Sequence, residues 1–274
     1  MSIKTFMKIL RSFVFVSLFS HWVALAVDYE VIDAKLVQGG YLIGKTAVGS
    51  KVFFAEQQVS VDEQGYFIIG FGRDFEPQAS MAIESRGTRQ DFPVMVKPRQ
   101  WQIERIDGLP PGKVNPTKPS VLKRIRSDSA LIRQARAIIS ELSNYRLPFV
   151  MPAHGRISGV YGSQRVLNGD PKRPHFGQDI AAKVGTPVTA PAGGIITLAH
   201  EDMFYSGATV IIDHGMGLSS TYLHLNSIGV KQGQVVKQGD LIGTIGKSGR
   251  ATGPHLDWRI NWMNQRLDPA LFIK

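Results

Sequence analysis

The stretch Ser248-Gly-Arg-Ala-Thr-Gly-Pro-His-Leu-Asp-Trp258 decides how the C-terminal half of this chain is interpreted. Its glycines and proline predict a loop rather than a helix. From His255 onward, polar and apolar residues alternate, which is the pattern of a β-strand. His255 and Asp257 are therefore expected on one face of that strand. The apolar residues of the opposite face are Leu256, Trp258 and Ile260.

Two more fragments carry residues of the same chemistry. Residues 174–180 read PHFGQDI and place His175 four residues before Asp179. The proline and glycine in this fragment favour a loop that enters a strand. Residues 221–225 read TYLHL and alternate as a strand, so His224 is expected to share a face with the tyrosine two residues before it. Each fragment alone is a weak signal, because a buried histidine is usually satisfied by a backbone group.

Together the three fragments supply three histidines and two carboxylates, in a chain that contains no cysteine. Imidazole and carboxylate ligands suit Zn²⁺, and a catalytic zinc site keeps one position open for water. Three ligands and two spare imidazoles would make a hydrolase. In such an enzyme a metal-bound water is the nucleophile, and the imidazoles act as base and oxyanion partner.

The order and wording of HFGQD, DHGMGLSSTYLHL and VKQGDLIGTIGKSGRATGPHLDW resemble the lysostaphin-type (LytM-like) zinc metallopeptidase family over roughly residues 147–272. The resemblance implies a groove on an antiparallel β-sheet, one Zn²⁺ ion, and hydrolysis of peptide bonds in peptidoglycan stem peptides or cross-links. Carried over by position, it implies that the metal ligands are His175, Asp179 and Asp257. It also implies that the catalytic residues beside the metal-bound water are His224 and His255.

The chain departs from the family pattern at Asp257. The family typically reads H-x-H where this sequence reads His255-Leu256-Asp257. Aspartate can still ligate zinc, but two carboxylates with one imidazole place more negative charge on the metal. The bound water should then be less acidic and the zinc a weaker Lewis acid. A ligand role also predicts that Asp257→His preserves or raises the affinity for zinc.

The fold class expected is all-β, with a C-terminal antiparallel β-sheet metallopeptidase domain at residues 147–274. Short apolar runs separated by turn residues indicate a small β-sandwich-like domain at residues 27–107. Residues 108–146 comprise a Pro/Gly linker and an amphipathic helix, in which apolar residues recur from Leu122 to Leu142 and Ser120 is the N-cap. This layout suggests that the N-terminal domain covers the groove of the C-terminal one.

Residues 1–26 have the pattern of a signal peptide: a basic start, a short apolar run and the sequence Ala-Leu-Ala before a cleavage point after Ala26. A retained membrane anchor is less favoured, because polar residues interrupt the apolar run. The mature protein is therefore expected to be exported, with the periplasm favoured since the chain lacks a lipobox cysteine. The formal charge of +10 suits an anionic cell-wall polymer such as peptidoglycan outside the cell rather than nucleic acid inside it.

Two other functions remain open at this point. A degenerate family member could bind peptidoglycan or activate a partner amidase without catalysis, and Asp257 motivates that alternative. A lipoyl- or carbohydrate-binding β-barrel draws on the turn-rich segment of residues 230–240. The barrel leaves the histidines and Asp179 unexplained.

Overall fold

The structure is a computed structural model that describes residues 27–106, 118–167 and 169–274. The predicted leader and nearly all of the predicted Pro/Gly linker lie outside the described residues. The N-terminal strands are β1 (Tyr29–Lys35), β2 (Tyr41–Thr46), β3 (Lys51–Phe54), β4 (Gln57–Val59), β5 (Tyr66–Gly70), β6 (Gln78–Ser85), β7 (Thr88–Met95) and β8 (Ile103–Ile106). The helix α1 (Pro119–Arg136) follows them.

The C-terminal strands are β9 (Arg156–Gly159), β10 (Gln164–Leu167), β11 (Asp170–Pro171), β12 (Gln178–Ala181), β13 (Pro187–Thr189), β14 (Gly194–Met203), β15 (Gly207–Gly215), β16 (Leu218–Ile228), β17 (Val235–Val236), β18 (Leu241–Ile245), β19 (His255–Trp262) and β20 (Gln265–Leu267). Short 3₁₀ turns occupy Asn144–Arg146 and Pro269–Leu271. The all-β fold class predicted from the sequence is confirmed. None of the described helices is both long and apolar enough to cross a membrane.

The C-terminal strands build one large antiparallel sheet, whose main path runs β17-β14-β15-β16-β19-β12-β9. Strand β19 lies between β16 and β12, so its residues are central to the sheet. Its apolar register is fully buried in the core, as the alternation predicted: Leu256, Trp258 and Ile260. The polar register, beginning at His255, therefore lies on the other face of this sheet.

The N-terminal strands form two small antiparallel sheets, β1-β2-β5 and β4-β3-β6-β7, whose apolar residues belong to the same core as the large sheet. The Tyr41 ring stacks on Phe272 with centroids 4.3 Å apart, and Arg99 pairs with Asp268 at 2.7 Å. At Gly70 an added Cβ would collide with Leu267, so the two parts are closely packed. This shared core links the residues on either side of the predicted domain boundaries, and those boundaries stay a prediction.

The N-terminal sheets meet the large sheet on the face of Trp258, away from the polar register of β19. Gly70 packs against Trp262, which belongs to the apolar register. Strand β8 pairs in parallel with β10, and Arg73 donates from Nε to the carbonyl of Gly162 at 2.9 Å. These contacts give no support to the expectation that the N-terminal domain covers the groove.

Helix α1 packs on the other face of the large sheet. Its buried Ala135 lies in a small cluster with Leu198, Met203 and Ile211. Ile211 is directly opposite Thr221, which is directly opposite Arg259, so all three side chains share the polar face of β19. The helix therefore flanks the polar register.

The boundaries of α1 differ from the sequence prediction. The N-cap is Lys118 without a side-chain cap bond, so the prediction of Ser120 was wrong. Pro119 sets the earlier start, because its fixed φ and missing N–H suit the first helical position. The helix ends at Arg136, short of the apolar pattern that continues to Leu142.

His214 is fully buried in the sheet and makes structural hydrogen bonds at both ring nitrogens. Nδ1 lies 2.7 Å from the carbonyl oxygen of Gly193, and Nε2 lies 2.7 Å from the hydroxyl of Ser220. Burial lowers the pKa of His214 from 6.5 to about 4. In the unfolded chain this residue is protonated below about pH 6.5. In the folded chain it stays neutral until the pH falls to about 4.

Stability should consequently fall as the pH drops through that window. Between pH 7 and pH 5 the free energy of unfolding should decrease by about 2 kcal/mol through His214 alone. Urea unfolding at both pH values measures this loss. The His214→Asn variant should show a smaller pH dependence, whereas His154→Asn, at an exposed position, should behave as the wild type. Equal pH dependence in the wild type and His214→Asn would contradict the assignment.

Candidate metal centre

The three predicted metal ligands converge on one face of the large sheet. Asp179 in β12 is directly opposite Asp257 in β19, and His175 lies in the loop that leads into β12. One ligand-capable atom from each residue lies within 4.8 Å of the others. A single cation can therefore contact all three side chains.

The loop that carries His175 is pinned by its backbone. The N–H of His175 donates to the carbonyl of Ser163, and the carbonyl of His175 accepts from the N–H of Gly162, both at 2.8 Å. This arrangement agrees with the predicted loop that enters a strand. It holds the imidazole in place before any ligand binds.

Two glycines make room for the carboxylates. A Cβ added at Gly159 would collide with Oδ2 of Asp179, and one added at Gly177 would collide with Oδ1 of Asp257. Any other residue at either position would displace a carboxylate oxygen. The glycines therefore belong to the architecture of the site, although a glycine in a turn-rich sequence gives no such signal by itself.

The donor atoms fit a divalent cation. His175 Nε2 and Asp179 Oδ1 are buried, and neither makes a hydrogen bond within the described residues. They lie 3.2 Å apart without the geometry of a hydrogen bond. Unpaired buried polar atoms are costly. A cation held by one imidazole and two carboxylates would satisfy both, and this donor set suits Zn²⁺.

The two predicted catalytic histidines lie side by side next to these ligands. The rings of His224 and His255 have centroids 4.9 Å apart, and His255 Nε2 is 4.0 Å from Asp179 Oδ1. Each ring is held through Nδ1 by a carbonyl oxygen, that of Ser248 at 2.8 Å for His224 and that of Gly253 at 2.9 Å for His255. Because a carbonyl only accepts, Nδ1 carries the proton and Nε2 is left as the acceptor.

Burial lowers the pKa of His224, and its hydrogen bond to the carbonyl of Ser248 only partly offsets this effect. His224 is therefore a neutral imidazole near pH 7. A neutral imidazole with a free Nε2 can take a proton from a water or donate through a second water after protonation. The pair of histidines has the geometry of acid–base groups.

The face assigned to His224 from the sequence was wrong. Tyr222 and Leu225 both point into the core, while His224 lies on the metal-bearing face beside His255. The cause is the backbone of His224, which has a φ of +63°. A left-handed residue breaks strand alternation and is uncommon for any residue other than glycine. Such local strain at a polar site is typical of a functional position.

Arg259 is the residue of this site that sequence reasoning missed. Its Nε donates to Asp257 Oδ1 at 2.9 Å and to Oδ2 at 3.1 Å, and its Nη2 donates to Oδ2 at 2.5 Å. Only 4% of the Asp257 side chain and 26% of the Arg259 side chain are exposed. Burial alone would raise the pKa of Asp257, but the guanidinium outweighs it and the pKa is lowered. The period of two that pairs His255 with Asp257 continues to Arg259, and this was the available signal.

The pairing leaves Asp257 able to bind a metal. An ionised carboxylate has about four acceptor positions, and Arg259 uses three of them. Carboxylates that ligate metals are commonly held by such hydrogen bonds. The donor set of the site is therefore an imidazole, a carboxylate and a carboxylate–guanidinium pair.

A β-sheet that carries this set of donors on one face, beside two imidazoles, defines a protein with a candidate metallopeptidase centre. Residues 173–269 match peptidase family M23. A crystal structure from Pseudomonas aeruginosa, described as a peptidase M23, superposes with a TM-score of 0.67 at 30% sequence identity, and the alignment covers 87% of this chain and 95% of that one. The chain belongs to peptidase family M23.

Curated relatives match over shorter stretches of the chain. The peptidoglycan DD-endopeptidase ShyA of Vibrio cholerae is 41% identical over 107 residues, which are 38% of this chain and 24% of that protein. The DD-carboxypeptidase/endopeptidase Mpg of Neisseria meningitidis is 41% identical over 98 residues, which are 36% of this chain and 22% of that protein. The chain thus matches about a quarter of the length of these relatives.

Proposed function

We propose that this protein is an exported zinc metalloendopeptidase that hydrolyses peptide bonds in peptidoglycan stem peptides or cross-links. The observation that carries the proposal is the convergence of His175, Asp179 and Asp257 within 4.8 Å beside two imidazoles. Membership of family M23 supports a peptidase, and the names of ShyA and Mpg support a cell-wall substrate. Export rests on residues 1–26, and an N-terminus at Val27 in protein recovered from the periplasm would be its sign.

Each residue has a defined part in this proposal. His175, Asp179 and Asp257 would hold one Zn²⁺, which would supply Lewis-acid chemistry at this face of the sheet. His224 takes a proton through Nε2, because its Nδ1 is held by the carbonyl of Ser248. His255 lies beside His224 and close to Asp179, where its Nε2 can orient a polar group of the substrate.

Arg259 changes the net charge that Asp257 contributes around the metal. The ligands carry two negative charges, and the guanidinium cancels one of them at hydrogen-bond distance. The net charge around the cation then equals that of a set with two histidines and one aspartate. The weaker Lewis acid expected from the sequence follows only if Asp257 is unpaired. With Arg259 in place, the site keeps the electrostatic balance that the family pattern has.

Zinc content and chelation test the proposal. The full mature chain, residues 27–274, should contain one zinc ion by elemental analysis and release peptides from purified sacculi. A chelator should abolish this release and added zinc should restore it. The Asp179→Asn variant should lose both zinc and activity, while Asp170→Asn, with a side chain 67% exposed, should keep both. A zinc-replete wild type that releases no peptides would contradict the proposal.

A metal-free binding protein is the second candidate, and the bidentate pairing of Asp257 by Arg259 favours it. A guanidinium that fully satisfied the carboxylate would leave only His175 and Asp179 for a metal. This protein would bind peptidoglycan or activate a partner amidase. It would be purified without zinc and would still co-sediment with sacculi. The proposed endopeptidase is instead expected to contain one zinc ion and to release peptides.

A further inference from the structure

Three arginines lie together on the groove face, next to the metal centre. Arg259 pairs with Asp257 and is directly opposite Thr221 on β16. Arg136, the last residue of α1, donates from Nη2 to the hydroxyl of Thr221 at 3.0 Å. Arg266 on β20 is directly opposite Asn261 of β19, which shares the polar face with Arg259, so the three arginines lie on the same face.

The positive charge of this group is not neutralised within the part of the chain that the structure describes. Asp257 compensates Arg259. The Nε of Arg136 and the Nη1 of Arg266 are buried without a hydrogen-bond partner among the described residues. Burial and then the neighbouring arginines lower the pKa of Arg136, and the same causes lower the pKa of Arg266 to about 10. The cluster is thus electrostatically unfavourable without an anion.

The donors have the chemistry of a carboxylate site. Guanidinium groups bind carboxylates through two parallel hydrogen bonds. Neighbouring side chains on one face of a strand are about 7 Å apart. The Thr221–Arg259 pair lies two residues along the strands from the pair that contains Asp257, a distance of about 7 Å. This distance corresponds to roughly two residues of an extended peptide. An anion bound here would lie close to the scissile peptide bond of a substrate at the metal centre.

We propose that Arg136 and Arg266 form a subsite that binds a carboxylate of the peptide substrate within one or two residues of the scissile bond. The inference rests on the proposed function, because it takes the groove to be where the peptide lies. It adds the substrate class: peptides that retain a free carboxylate at this position. Arg136 comes from the helix outside residues 173–269, so the subsite includes a residue beyond the matched family region.

Two kinds of carboxylate can supply this group, a C-terminal carboxylate or one on a side chain. The probe is a fluorescent stem pentapeptide, L-Ala–γ-D-Glu–diaminopimelate–D-Ala–D-Ala, with all carboxylates free, with each one amidated in turn, or with all amidated. Binding is measured by fluorescence anisotropy on the full mature chain without metal. Since no hydrolysis is needed, failure of the endopeptidase proposal and failure of the subsite are separate results.

The free peptide should bind about 10- to 100-fold more tightly than the fully amidated one, because charge-assisted hydrogen bonds are lost on amidation. One single amidation should reproduce most of this loss and so identify the carboxylate. Arg136→Gln and Arg266→Gln should each remove most of the preference. Arg133→Gln, an exposed arginine in the same helical turn, should retain it. Thr221→Val, which removes only the hydroxyl that holds Arg136, should reduce the preference by a smaller factor and serves if an arginine variant fails to fold.

Equal binding of the free and fully amidated peptides by the wild type would overturn the subsite. So would an equal loss in Arg133→Gln and Arg136→Gln, since general surface charge would then explain the preference. A carboxylate preference in a protein that never cleaves sacculi would leave the subsite standing and refute the endopeptidase. Rapid cleavage of the fully amidated peptide would support the endopeptidase and refute the subsite.

Discussion

His224→Asn should leave a folded, zinc-binding protein whose release of peptides from sacculi has fallen by about 10²- to 10⁴-fold, the usual contribution of a general acid or base. Asparagine is the informative replacement, because it tolerates the left-handed backbone at φ +63°. Alanine at the same position would add backbone strain of about 1 kcal/mol and mix a folding defect with the catalytic one. The measurement is the rate of peptide release at saturating zinc.

The zinc content of this variant decides how the result is interpreted. His224 is held by the carbonyl of Ser248 and is not one of the proposed ligands. A loss of zinc together with activity would therefore place His224 among the ligands and not among the acid–base groups. His154→Asn, at an exposed position, serves as the matched control. Unchanged activity in His224→Asn would remove this residue from the mechanism.

Strand alternation carried much of the site prediction. It assigned His255 and Asp257 to one face and Trp258 to the other, and the structure confirms both. This success has a physical reason: β19 is paired on both sides along most of its length, so its register is fixed. The same rule failed for His224, where a single left-handed residue reverses the side chain. A positive φ at a histidine has no reliable sequence signal.

The electrostatics of the site were less accessible than its position. The partnership of Asp257 with Arg259 was visible in principle from their spacing, but spacing alone does not say that both are buried. The cluster of Arg136 and Arg266 depends on where α1 docks on the sheet. Long-range placement of a helix follows from tertiary packing rather than from local sequence. Predictions about residue identity were therefore stronger than predictions about charge.

The sharpest consequence of Arg259 concerns Asp257→His. The sequence alone predicts that this change preserves or raises zinc affinity, but the structure reverses the sign. A neutral imidazole at residue 257 would leave Arg259 as an unpaired cation next to the metal. Zinc affinity should then fall by about 10- to 100-fold, the usual effect of altering the groups around a metal ligand. Competition with a chromophoric chelator measures the dissociation constant.

Arg259→Gln should act in the opposite direction on zinc and also destabilise the metal-free protein. The site keeps two carboxylates without a compensating charge, so zinc should bind more tightly than in the wild type. Breaking the buried pair should lower the free energy of unfolding of the metal-free chain by about 3 kcal/mol. Urea unfolding in the presence of a chelator measures this loss.

The double variant Asp257→His with Arg259→Gln completes a double-mutant cycle with the two single variants. It restores one negative charge around the cation, so the two opposite single effects should cancel and its zinc affinity should return to within a few-fold of the wild type. Arg250→Gln, an exposed arginine of the neighbouring loop, is the control for general loss of positive charge. Two results would contradict the charge-compensated pair. One is Asp257→His binding zinc at least as tightly as the wild type. The other is a double variant that binds zinc as weakly as Asp257→His, because removal of the Arg259 charge would then not compensate for the lost carboxylate.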